Sequence, residues 1–288
     1  MTSFPWISAL TSVPVVGALI LLLIGGRNNK ISRWTALAFS FLSLALTLLM
    51  WHRFDATSGA LQFQELHNWI PALNVQYHVG IDGLGLLMLL LTAIIIPIGI
   101  AASAQIEDRV SLYYALTLLL QSCLIGTFTA LNFVPWFFFW ELSLIPAFFL
   151  IKLWGGPLRT KAATQFLVYT MVGGVGLLLS FLAIFIATHK FDFIELSTIA
   201  QGGQLMPSVI DKLAWHRFST QHITMFIFAG AFLGFAIKVP LFPFHTWLPP
   251  PIARHPPERQ SCLPVPCRRW VSTGFFAFCF PSLDHRYS

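Results

Sequence analysis

The run Phe137-Phe138-Phe139-Trp140-Glu141-Leu142-Ser143-Leu144-Ile145-Pro146 places one carboxylate in the middle of a segment that is otherwise uncharged and mostly apolar. The segment extends from about Phe133 to Leu153, and roughly 20 residues suffice for a helix to cross a bilayer. A second apolar segment, about Ile223 to Trp247, contains Ala236-Ile237-Lys238-Val239-Pro240, so a lysine is embedded as deeply as the glutamate. Working outward, further runs of spanning length cover about Phe4 to Leu23, Thr35 to Met50, Leu84 to Ser103, Leu112 to Ala130 and Phe166 to Thr188. The fold class expected is therefore all-α: a polytopic transmembrane bundle of about seven helices. Polar connections from His52 to His78 and from Lys190 to His222 separate some of them, with Trp69 and Tyr77 as interfacial aromatics.

Composition agrees. Hydrophobic residues make up 56% of the 288 and charged residues only 10%, against about 25% charged in a soluble domain. The net charge of +6 does not point to nucleic acid, because the basic residues are scattered between apolar runs without a basic face or a nucleic-acid module. Arg27, Lys30, Arg33, Arg109, Lys152, Arg159 and Lys161 follow the first, third and fifth helices, which places those loops in the cytoplasm and the N-terminus on the other side. The first helix lacks a basic leader region, so it is expected to be retained rather than cleaved. Of the four cysteines, Cys123 lies in an apolar run and Cys262, Cys267 and Cys279 in the tail, and no disulfide framework follows. Phosphate-binding glycine loops, dinucleotide fingerprints and haem or iron–sulfur spacings are missing from the sequence. Any redox chemistry is expected on a partner.

A charge at membrane depth costs at least about 2.5–3.5 kcal/mol on insertion scales, so Glu141 and Lys238 must face protein or water. Two readings stay open for each: a group that gains and loses a proton, or half of a structural ion pair. As mutual partners they form a device that moves protons when the two charges separate. Pro240 and Pro243 predict an interrupted helix beside Lys238, of the kind tolerated where it lines a cavity. His245 follows, either as a proton relay or as a headgroup-boundary histidine. Asp82 is placed to cap the third helix, while Gly173, Gly174 and Gly176 permit close helix packing.

Gly80-Ile81-Asp82-Gly83-Leu84, Phe139-Trp140-Glu141-Leu142, Leu153-Trp154-Gly155-Gly156, Ala163-Thr164-Gln165-Phe166, Ala236-Ile237-Lys238-Val239-Pro240 and Pro243-Phe244-His245-Thr246-Trp247-Leu248-Pro249 occur in that order. Together they resemble the antiporter-like proton-pumping subunit M (chain 4) of respiratory complex I, the NADH–quinone oxidoreductase. The resemblance covers residues 1–249. It implies an antiporter-like fold in the bacterial inner (plasma) membrane, other membrane-arm subunits as partners, and proton translocation through Glu141, Lys238 and His245. NADH, quinone, FMN and iron–sulfur clusters would sit on other subunits, with no cofactor or metal held by this chain. Subunits of multi-subunit cation/proton antiporters and of membrane-bound hydrogenases share these elements, and an inactive fragment or scaffold is the remaining alternative.

Residues 250–288 depart from the family, whose members continue into further helices. This tail is rich in Pro, Arg and Cys and has no spanning run. A shifted reading frame accounts for it: read one nucleotide earlier, residues 270–281 can spell Val-Gly-Phe-Tyr-Gly-Phe-Leu-Arg-Phe-Leu-Leu-Pro, which resembles the family's next helix. A metal site built from Cys262, Cys267 and His255 lacks a fourth placed ligand and paired short cysteine spacing.

Overall fold

The computed structural model describes residues 4–25, 28–73, 75–155, 158–203, 205–212 and 219–247. Ten α-helices and one hairpin are arranged among them: α1 (Trp6–Ile24), α2 (Asn29–Arg53), β1 (Gln62–Ile70), β2 (Val75–Ile81), α3 (Gly83–Ala102), α4 (Val110–Thr129), α5 (Phe133–Leu142), α6 (Leu144–Trp154), α7 (Arg159–Thr188), α8 (Phe193–Gln201), α9 (Leu205–Lys212) and α10 (Thr220–Lys238). Counting α5 and α6 as one span, seven are long and apolar enough to cross a membrane. The tail discussed above, 250–288, lies outside the described residues.

α4 is the central post. It touches α1, α2, α3, α5 and α6, and 72% of it is buried against 22–39% for the other spans. Its contact with α1 includes two polar links. The Ser122 hydroxyl donates to the Thr11 carbonyl at 2.8 Å, and the Ser111 hydroxyl donates to that of Leu21. Exposed leucines, isoleucines and phenylalanines dominate the outer faces, as expected where lipid tails are the solvent.

The polar stretch after α2, read from the sequence as a polar connection without assigned secondary structure, contains an antiparallel β1–β2 hairpin. It serves as a cap. Pro5 precedes α1 and offers no side chain to the helix's free N–H groups. Glu65 of β1 supplies the acceptor instead, taking Ile7 N at 2.7 Å, Ser8 N at 3.2 Å and the Ser8 hydroxyl. A carboxylate there satisfies orphan donors and meets the positive end of the helix dipole. Nearby, the Tyr77 hydroxyl lies 3.1 Å from Ser8 Oγ, and burial pushes this phenol above its ordinary pKa while the Ser8 bond opposes the shift.

At the same end of the bundle, Asp192 caps α8 through Ile194 N at 2.9 Å and Glu195 N at 3.3 Å, and its other oxygen meets Nδ1 of His78 on β2. Leu131, between α4 and α5, donates to the His78 carbonyl and accepts from Phe193 N. Hairpin, α4–α5 turn and the entry to α8 are thus tied together. Asp82 caps α3 as expected, through Gly85 N at 2.7 Å. Away from the site, two helix starts and one connection differ from the sequence reading. α2 begins at Asn29, whose neighbour Asn28 caps it, rather than at Thr35. α7 begins at Arg159, not Phe166, because its charged first turn is helical too. The long polar segment after α7 holds α8 and α9.

Replacing Glu65 by Ala is expected to cost about 1–2 kcal/mol, the usual worth of an N-cap. A lower unfolding temperature in lipid nanodiscs and faster amide exchange at Ile7 and Ser8 would show it.

Candidate functional site

Pro146 has no N–H for the carbonyl of Leu142, one turn earlier. The span breaks there: α5 ends at Leu142, Ser143 is a turn, and α6 resumes at Leu144. Glu141 therefore sits beside a one-residue interruption of the hydrogen-bond ladder, within the single crossing, Phe133–Trp154, that the sequence reading placed at about Phe133 to Leu153. The presence of Pro146 was the available signal. The Trp140 carbonyl at this break accepts from the Ser143 hydroxyl at 2.7 Å and from Lys238 Nζ at 2.7 Å.

Lys238 reaches the break from α10, whose end is set by proline chemistry as well. Pro240 cannot donate to the Ala236 carbonyl, and Leu241 N does so in its place at 2.9 Å. That displacement takes Leu241 away from Ile237, whose carbonyl accepts the Trp247 indole N–H at 2.9 Å. The sequence reading carried this helix to Trp247 with an interruption at the prolines. In the structure α10 stops at Lys238, and a short 3-10 turn, Phe244–Trp247, folds back. Trp247 is fully buried against Phe166 of α7 and Leu144 and Ala147 of α6. The ammonium consequently occupies the negative end of a helix dipole, a favourable place for a cation.

Lys238 Nζ also lies 3.7 Å from the centre of the Trp140 ring. That ring stacks on Trp136, with centroids 5.0 Å apart, and meets Phe235 edge-on. An ammonium over an indole face gains about 0.5–2 kcal/mol, most when desolvated. Lys238 Nζ is thus placed on the backbone of the residue next to Glu141, with Ser143 Oγ at 3.5 Å. Both site residues are half-buried, with the Glu141 carboxyl lying against Gly174 of α7. Two of the three residues proposed from sequence are thus gathered at one junction of α5, α6, α7 and α10. The third, His245, belongs to the 3-10 turn beyond it, and its side chain lies outside the described residues. Trp140, Ser143 and Trp247 complete the junction; the two tryptophans were read from sequence only as parts of the family motifs, and none of the three was given a role at the site.

A cavity of ≈ 370 Å³ opens between α1, α4 and α5. Ser8, Tyr77 and Thr11 line its hairpin end, and Cys123 and Leu142 line the part nearest the junction. Among the described residues, no group of three His, Cys, Asp or Glu side chains converges as a metal set would.

A bundle whose spans break beside a half-buried glutamate and lysine is an antiporter-like membrane fold, and solved structures bear this out. Respiratory complex I from Thermus thermophilus superposes with a TM-score of 0.65 at 27% identity, over 84% of this chain and 46% of that one. The Mrp complex from Dietzia sp. shares the fold at a TM-score of 0.65 and 21% identity, over 84% of this chain and 24% of that one.

Residues 130–257 match the model of the family described as NADH:quinone oxidoreductase/Mrp antiporter, TM, a stretch that takes in Glu141, Lys238 and His245. NAD(P)H-quinone oxidoreductase chain 4 3 of Trichormus variabilis is 33% identical over 250 residues, 86% of this chain and 44% of that protein. Chain 4 2 of Thermosynechococcus vestitus is 35% identical over 247 residues, 85% and 43% of the two. The chain therefore spans less than half the length of the curated relatives it matches.

Trp247→Phe keeps the ring but withdraws the donor from the Ile237 carbonyl. A buried acceptor left unmade costs about 1–3 kcal/mol. Thermal unfolding should register that loss, together with enhanced amide exchange over the last turn of α10.

Proposed function

We propose that this chain is the first part of the antiporter-like, proton-translocating subunit M (chain 4) of an NADH–quinone oxidoreductase in a bacterial inner membrane, working beside other membrane-arm subunits. One observation supports this most strongly: the Lys238 ammonium is bonded to the backbone of Trp140, the residue next to Glu141, within the matched family region. The chain 4 relatives add the choice of complex.

In this reading Glu141 carries the proton and Lys238 sets its affinity. With the ammonium close by, the carboxylate is stabilised and the proton is released. With Lys238 drawn away, the low-dielectric surroundings favour the neutral acid and a proton is taken up. The Trp140 carbonyl, the Ser143 hydroxyl and the indole face hold the ammonium in its near position. Oxidation of NADH and reduction of quinone, with the FMN and iron–sulfur centres they use, take place on other subunits. This chain supplies a proton-binding pair and no redox centre.

The test is Glu141→Gln in the assembled complex. The rate of proton translocation is expected to fall on the order of 10²-fold, within the range for loss of a positioned proton-transfer group, while Glu141→Asp retains part of it. Unchanged pumping in E141Q would favour a scaffold role. A cation/proton antiporter is the second reading, favoured by the family's inclusion of Mrp antiporters. Inverted vesicles separate the two: a pH gradient that collapses on adding Na⁺, without NADH, identifies the antiporter.

A further inference from the structure

We infer that Gly174 on α7 is a positioning residue for Glu141: the side chain it lacks is the space that the carboxyl group occupies. A Cβ built at 174 would lie 2.5 Å from Oε1, 3.0 Å from Cδ and 3.2 Å from Oε2 of Glu141. These are its three nearest atoms, and all belong to one carboxyl group. Favourable heavy-atom contacts begin near 3.5 Å, so carboxyl and methyl cannot share the site.

The neighbouring glycines do something different. A Cβ at Gly173 would meet Gly234 and Ile237 of α10 at 3.3 Å, and one at Gly176 would meet the Gly230 carbonyl at 3.1 Å. From the other side, Cβ atoms at Gly230 and Gly234 would lie 3.0 and 2.9 Å from the carbonyls of Gly176 and Gly173. One face of α7 thus receives α10 backbone to backbone, and an adjacent face receives Glu141. A single helix sets the location of the helix bearing Lys238 and of the carboxyl group opposite it.

The physical difference between the two faces predicts different effects. At 173 a methyl group presses on the Gly234 backbone and on the Ile237 side chain of α10, all at 3.3 Å, and on no atom of Glu141 among its three nearest. At 174 it presses on the end of a flexible side chain, which yields by rotating. Gly174→Ala therefore relocates the carboxyl group while the bundle stays assembled.

The experiment uses the full chain in lipid nanodiscs and reads the infrared carboxyl band of Glu141, assigned as the band that Glu141→Gln removes. G174A is expected to displace this band, and G173A to leave it in place while lowering the unfolding temperature. If G174A itself folds poorly, the paired variant E141D/G174A, which withdraws the carboxyl by one methylene, should recover helix content and unfolding temperature. A band unmoved in G174A, an equal displacement in G173A, or a failure of E141D to rescue a destabilised G174A overturns the inference. It rests on the proton-transfer reading for its consequence, but the band is read without transport. A silent G174A beside a pumping-deficient E141Q sinks the inference alone. A displaced band beside full pumping in E141Q sinks the proton-transfer reading instead.

Discussion

Inside a bilayer, a carbonyl without a donor has no water to turn to, and that constraint organises the junction around Lys238. Pro240 leaves two carbonyls at the end of α10 in need of donors. Leu241 N and the Trp247 indole supply them. To do so, the chain after Lys238 must turn back and bury Trp247 between α6 and α7. The turn ends the helix at the lysine and leaves the ammonium on a helix terminus. A parallel logic at Pro146 ends α5 one residue past Glu141. Lys238 is therefore held at a helix end, and Glu141 beside an interruption where the Trp140 carbonyl is free to accept from outside the helix.

Aromatic packing stabilises this arrangement. Trp136, Trp140 and Phe235 form a continuous stack and edge contact, and Phe133 stacks on Phe181 of α7 with centroids 4.0 Å apart. Rings of this kind bury large area and tolerate sliding along their faces. The glycine contact between α7 and α10 has the opposite character. It brings backbones together with no room to spare, so the spacing of the two helices is rigid while the rings beside it can adjust.

The seven spans were legible from run length alone, because lipid exposure demands apolar residues on nearly every face. The interruption at Pro240 followed from the same reasoning, whereas Lys238, read as deep within its helix, is the last residue of α10. The hairpin escaped it. Gln62–Ile70 carries Gln, Glu, His and Asn, and most of its residues are exposed, so no alternating apolar pattern marks a strand. A bulge near Phe63, which has a positive φ, further breaks the register. The break at Ser143 was missed because Pro146 sits in an apolar run that continues past it. The role of Trp247 depends on a contact ten residues back in the chain, and that of Gly174 on one thirty-three positions away, and neither spacing has a local signature. The glycines on α7 were read as one packing stripe, whereas their neighbours divide them into two faces.

The capping of α1 by Glu65 has a consequence for how the protein is made. Translation runs from the N-terminus, so α1 enters the bilayer long before β1 leaves the ribosome. For that interval its first amides lie at the far interface with only headgroups and water to bond. The finished helix end is completed when the hairpin crosses to the same side and folds over it. The N-terminal end of α1 is thus completed only after α2 and the hairpin have been made.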